Sequence, residues 1–150
     1  MRKLFAAGLA MILCAGCTTP YQELGLLGGV RAQQVTADTY RIVSRGNSHT
    51  SSTTVRDYTL LKAAETTKQS GATHFAIISE KDVTRTSQDV TLHRDDVMGG
   101  VTGSISTDVK PGQDTYIRVM SITPGQPAPA GALSADEIMR YVGSRVKRPA

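Results

Sequence analysis

Few side chains in this chain could carry chemistry: two cysteines, three histidines and the adjacent acidic pair Asp95-Asp96 beside Arg94. His49, His74 and His93 do not fall at the short spacings that zinc sites use. Only a fold that gathered them around Asp95 and Asp96 could hold a divalent cation. The same acidic pair, with His93, could serve a small hydrolase. Glycoside hydrolysis needs two carboxylates on a rigid frame, about 5–10 Å apart, and two neighbours in a polar loop are usually solvated. No Gly-x-Ser-x-Gly elbow accompanies the serines. Gly99-Gly100-Val101-Thr102-Gly103 lacks the Lys-Ser/Thr ending of a phosphate loop. These patterns assign no catalytic residue, no metal ligand and no cofactor, and the expectation is a protein that is not an enzyme.

The cysteines sit at the end of a tripartite N-terminus. Arg2 and Lys3 precede an apolar run from Leu4 to Leu13, and Cys14-Ala15-Gly16-Cys17 follows. This is the layout of a secretory signal, too short to span a bilayer. Its positive end belongs on the cytoplasmic side. The Ala15-Gly16-Cys17 ending resembles a bacterial lipobox. That resemblance implies cleavage before Cys17 and lipid on its thiol. Small residues suit the peptidase, whereas Ile12 and Leu13 are too bulky to play that part for Cys14. An ordinary secretory signal cut nearby is the alternative. Two or more acyl chains anchor stably, at about 0.8 kcal/mol per buried methylene. Thr18 rather than Asp follows the cysteine. By resemblance to lipoprotein sorting rules, this favours the outer membrane, facing the periplasm.

Cleavage there would leave 134 residues, enough for one domain with a modest core. The precursor carries 17 basic and 13 acidic residues, and loss of Arg2 and Lys3 reduces the balance to +2. That charge gives no argument for nucleic acid. With Cys14 removed and Cys17 acylated, the folded domain would have no thiol for a disulfide, a nucleophile or a thiolate metal site.

The elements follow from periodicity. Residues 17–37, with Gly25, Gly28 and Gly29, read as a lipidated flexible tether. Residues 38–148 read as a single domain. Thr39 to Arg45 alternates as a half-buried strand and ends at Gly46-Asn47. Thr54 to Ser70 repeats Val55, Tyr58, Leu61 and Ala64 at helical spacing, with N-cap oxygens among residues 50–54 and Gly71 as a left-handed cap. Thr73 to Ser79 contains the continuous apolar run Phe75-Ala76-Ile77-Ile78, which predicts a strand covered on both faces. Residues 82–113 read as a long mobile excursion, in which Val90 and Leu92 could belong to a protruding hairpin. Thr115 to Thr123 is a further strand. A proline-rich connector leads to Ser134-Ala135-Asp136-Glu137, a capping box with Leu133 and Ile138 as a hydrophobic staple. The helix it opens, to Val146, carries Ile138, Tyr141, Val142 and Val146. The order β-α-β-(loop)-β-α predicts an α+β fold, with two helices on a three- to four-stranded sheet.

Several of these pieces occur together in a known pattern. Gly28-Gly29, a strand closing on Gly46-Asn47, a helix bearing Ala63-Ala64-Glu65, and Gly71 before an aromatic strand resemble an uncharacterised family of small envelope lipoproteins of alphaproteobacteria. The likeness covers about residues 17–80 well and the remainder loosely. It implies a location and a fold but no activity.

Asn47 and Glu65 are the candidate structural or interaction residues. Glu65 lies three residues from both Lys62 and Lys68, so an ion pair on the helix surface is the plain expectation. The other reading makes it a polar anchor against the Gly46-Asn47 turn, or a partner contact. The expected function is a membrane-anchored, non-enzymatic interaction or structural module in the periplasm. Its partners would be the membrane, through lipid on Cys17, and an envelope protein, with no nucleic acid. The alternative is a small envelope hydrolase or divalent-cation-binding protein using the acidic loop.

Overall fold

The computed structural model describes residues 18–94 and 100–149. Among them, seven strands and two helices form an α+β fold. β1 (Gly29–Gln34), β2 (Thr39–Arg45), β6 (Gly112–Met120), β3 (His74–Asp82) and β7 (Ala132–Ser134) make one antiparallel sheet in that spatial order. β4 (Arg85–Arg94) and β5 (Val101–Lys110) pair only with each other. Helix α1 (Ser52–Gln69) packs across one face of the large sheet, beside α2 (Ala135–Tyr141) and a 3-10 turn at Gly143–Arg145.

The core lies between α1 and the sheet. Ile42, Ile117, Phe75 and Val30 meet Tyr58, Leu61, Ala63 and Ala64 there. Strand alternation sends every second residue of β2 and β6 toward the helix, as the register Ile42 to Thr115 and Ser44 to Gln113 requires. α1 begins as its sequence predicts: Ser51 caps it by accepting from Thr54 N–H. It ends in a Schellman pattern, with Gly71 N–H on Lys68 O at 3.0 Å and Ala72 N–H on Thr67 O at 3.1 Å. Gly71 adopts φ +80°. Its buried face includes three threonines besides the apolar stripe. Thr59 and Thr67 satisfy their hydroxyls on the carbonyls of Val55 and Ala63, one turn back.

Several expectations are corrected. The main sheet has five strands rather than three or four, because β1 and β7 add to both edges. Residues 17–37 are not a loose tether from Thr19 onward. Thr19 and Tyr21 are buried and β1 is paired along its full length with β2. The glycines there make close approaches possible: a Cβ on Gly28 would lie 2.5 Å from Arg45 O, at φ +97°. β3 is not covered on both faces, since Ile77 and Ile78 are exposed around a register shift. Among residues 82–113 lie the end of β3, the start of β6 and, around Val90 and Leu92 as the sequence allows, a hairpin of two ten-residue strands, the β4–β5 arm. The last helix is also shorter than expected, and Tyr141 points to solvent. The cap stands, with Ser134 Oγ accepting from Glu137 N–H at 3.4 Å.

Candidate functional site: the N-terminal pole

Thr19 is 1% exposed and every polar atom it carries is engaged. Its N–H donates to Thr50 Oγ1 at 2.8 Å and its hydroxyl donates to Leu27 O at 3.1 Å. That hydroxyl also accepts from Asn47 N–H at 2.9 Å, and its carbonyl accepts from Tyr58 OH at 2.7 Å. Asn47 is the organiser of the facing turn. Its Oδ1 accepts from His49 N–H at 3.1 Å and Thr50 Oγ1 at 2.8 Å. An Asn side chain that closes its own turn in this way needs no regular secondary structure around it. The sequence-predicted residue Asn47 is therefore structural, and the residue it holds is Thr19.

A second latch lies two residues further on. Tyr21 OH donates to Glu65 Oε2 at 2.6 Å, and Arg148 Nη2 approaches Glu65 Oε1 at 2.7 Å. Arg148 also stacks over the Tyr21 ring, 5.1 Å from its centroid, while Tyr58 meets that ring edge-on at 5.4 Å. Tyr21 N–H donates to Lys147 O at 3.1 Å. Burial, followed by the adjacent Glu65 carboxylate, pushes the Tyr21 phenol far above its usual range. Glu65 thus pairs with neither expected lysine: Lys62 goes to Glu23 at 2.7 Å and Lys68 to Asp136 at 2.9 Å. Nor does it touch the Gly46-Asn47 turn. It ties the N-terminal segment to the C-terminal one across α1, joined on the same side by Arg145 and Asp57, a two-toothed pair at 2.7 Å.

A groove of about 760 Å³ runs between these two segments. Of the charged residues lining it, Asp57 pairs with Arg145, and Arg148 with Glu65. A smaller cleft of about 400 Å³ lies between the start of α1 and β3, where Arg56 stands 3.6 Å from Glu80. Among the described residues neither cleft sets a nucleophile beside a base. The histidines are far apart in the fold. His49 follows the Asn47 turn, and His93 lies in β4. His74 faces Met120 and Ser134 in the sheet, with Nδ1 2.8 Å from Thr73 Oγ1. No three His, Cys, Asp or Glu among the described residues gather into a metal-holding group. Cys17, Asp95 and Asp96 lie outside the described residues.

The sequence reading missed Thr19, Tyr21 and Arg148 as parts of one assembly. A tyrosine in a supposed spacer was the available signal, since aromatic side chains seek burial. It also missed the turn at Leu26-Leu27, which the flanking Gly25 and Gly28 close through reciprocal backbone bonds at 3.1 and 3.2 Å. Both leucines are exposed there. No helix among the described residues is long and apolar enough to cross a membrane. A scan against family models, a search of curated proteins and a search of solved structures each returned no match.

Proposed function

We propose that this chain is a lipid-anchored envelope protein, acylated on Cys17, that works as a non-enzymatic interaction or structural module. The reading begins with the signal-like N-terminus and its Ala15-Gly16-Cys17 ending. The observation that carries it further is the complete capture of Thr19, two residues beyond that cysteine. A chain segment that merely trailed from a cleaved signal would have no need of four hydrogen bonds at its root. A segment that transmits an anchor's hold to a domain does. The outer membrane, facing the periplasm, is the location that Thr18 favours. An envelope protein is the partner in this reading.

The test is the mass of the N-terminal peptide of the protein isolated from cells. The reading expects a peptide that begins at Cys17 and carries acyl chains. A peptide that begins elsewhere, or an unmodified Cys17, overturns it. Cys17→Ala should release the protein from the membrane fraction.

A further inference from the structure

The cleft of about 400 Å³ between the start of α1 and the end of β3 sets two walls of opposite charge over one buried amide. The first wall is the N-terminus of α1. Thr54 N–H is taken by the Ser51 cap and Val55 N–H by Ser51 O, at 3.0 and 3.1 Å. Ser52 and Thr53 N–H have no acceptor among the described residues, and the first turn carries no acidic side chain. A helix of 18 residues presents about half a positive charge at such open N–H groups. Arg56, one turn along, adds a full charge to the same wall.

The second wall is acidic. After the register shift in β3, Glu80 stands opposite Thr115 and Asp82 opposite Gln113, so alternation turns both toward α1. Glu80 Oε1 is 3.6 Å from Arg56 Nη2, and Asp82 Oδ1 accepts from Thr84 N–H at 2.8 Å. The second oxygen of each carboxylate has no donor among the described residues.

Gln113 is the independent sign of a ligand. It lies in register between Ser44 and Asp82, on the face toward α1, and lines the cleft. It is 8% exposed, yet its side-chain amide has no hydrogen-bond partner among the described residues. Its neighbour Ser44 turns instead to Thr59 Oγ1, at 2.7 Å. A buried amide left unpaired in the protein is costly, and what enters the cleft can satisfy it.

We propose that this cleft binds a free α-amino acid. The carboxylate takes the Ser52 and Thr53 N–H groups and Arg56, the ammonium takes Glu80 and Asp82, and the side chain lies over Gln113. A bare anion would meet two carboxylates, and a bare cation would meet Arg56 and the helix pole, so each wall repels what the other attracts. A zwitterion suits both. The contact between Arg56 and Glu80 sets its size, because walls this close demand ligand charges equally close. An α-amino acid carries both on one carbon, whereas each further residue of an extended peptide separates its termini by about 3.3–3.6 Å more. Gln113, a donor and an acceptor at once, favours a polar side chain. The assignment does not depend on the fate of Cys17.

The test titrates the full chain, labelled with ¹⁵N and isolated in detergent micelles, with each common amino acid to about 10 mM, above the millimolar range of weak sites. At least one with a polar side chain should shift the Ser52 and Thr53 amide resonances and the Gln113 side-chain amide together. Its N-acetyl and carboxamide derivatives each lack one charge and should bind at least about tenfold more weakly, the worth of a charge-assisted hydrogen bond. Asp82→Asn keeps the acceptor for Thr84 N–H, so it should fold normally and weaken binding by a similar factor. Gln113→Met removes an amide without a protein partner, so binding should fall while stability does not. The proposal is overturned if no amino acid moves the three resonances together, or if a derivative binds as tightly as its parent. Unchanged binding in folded Asp82→Asn, or lost stability with unchanged binding in Gln113→Met, overturns it as well.

Discussion

Tyr21 and Glu65 stand 44 positions apart in the chain, yet the phenol donates to the carboxylate at 2.6 Å. This contact makes the first described turn of backbone part of the core rather than an approach to it. Because Arg148 holds the other carboxylate oxygen, one side chain on α1 secures both ends of the described chain.

Removing the Tyr21 hydroxyl while keeping its ring isolates that contact. Tyr21→Phe should lower stability by about 1.5–3 kcal/mol, the range for a hydrogen bond to a charged group. Urea unfolding measures it. The m-value should not change, since the folded state stays as compact.

Thr19→Val keeps the shape of the side chain and removes the hydroxyl between Asn47 N–H and Leu27 O. Two backbone groups then lose their partner at a partly buried site, so a loss of about 1 kcal/mol is expected. Protease cleavage within residues 18–24 should accelerate in step. Asn47→Ala should act in the same direction through Thr50.

Two glycine substitutions should differ in a defined order. At Gly71 a Cβ meets nothing within 4 Å, so Gly71→Ala costs only its positive φ, about 1 kcal/mol. At Gly28 the same atom would lie 2.5 Å from Arg45 O and 3.0 Å from Thr19 Cγ2. Gly28→Ala should therefore cost clearly more, and thermal unfolding of the pair gives the ranking.

Asp114 carries a pH dependence of known sign. Burial raises its pKa, but Arg41 and Arg45, both in contact with its carboxylate, outweigh burial and hold it below 3.8. The unfolded chain then takes up the proton first as pH falls. The stabilisation is fully present above pH 3.8 and is lost as pH drops from there toward the lower folded value. Asp114→Asn should flatten that part of the acid-unfolding profile, followed by circular dichroism.

The arm supplies a last prediction. Since β4 and β5 pair only with each other, replacing residues 85–110 by a short turn should leave one cooperative unfolding transition. A broadened or split transition would show that the arm helps to hold the sheet.

Much of this architecture was legible where periodicity is strong. β2 alternates cleanly, α1 repeats its apolar residues at helical spacing, and Ser134 and Gly71 are end signals with a direct physical cause. β1 was illegible because Arg31, Gln33 and Gln34 follow a single buried valine, and because two glycines needed for close approach look like those of a flexible spacer. The buried Thr59, Thr66 and Thr67 hid part of the helix face, since a threonine that bonds its own backbone passes for a surface residue. The candidate site was the least legible. Asn47 and Glu65 could be singled out, but their partners Thr19, Tyr21 and Arg148 lie 28, 44 and 83 positions away, beyond any local pattern.

The locked root at Thr19 also sets a limit on distance. A folded body of this size has a radius of gyration of about 14 Å, and a chain without slack adds almost nothing to its height. An anchor at residue 17, as proposed, would therefore keep the domain in a thin layer against its support, and a partner would have to come within that layer to be met.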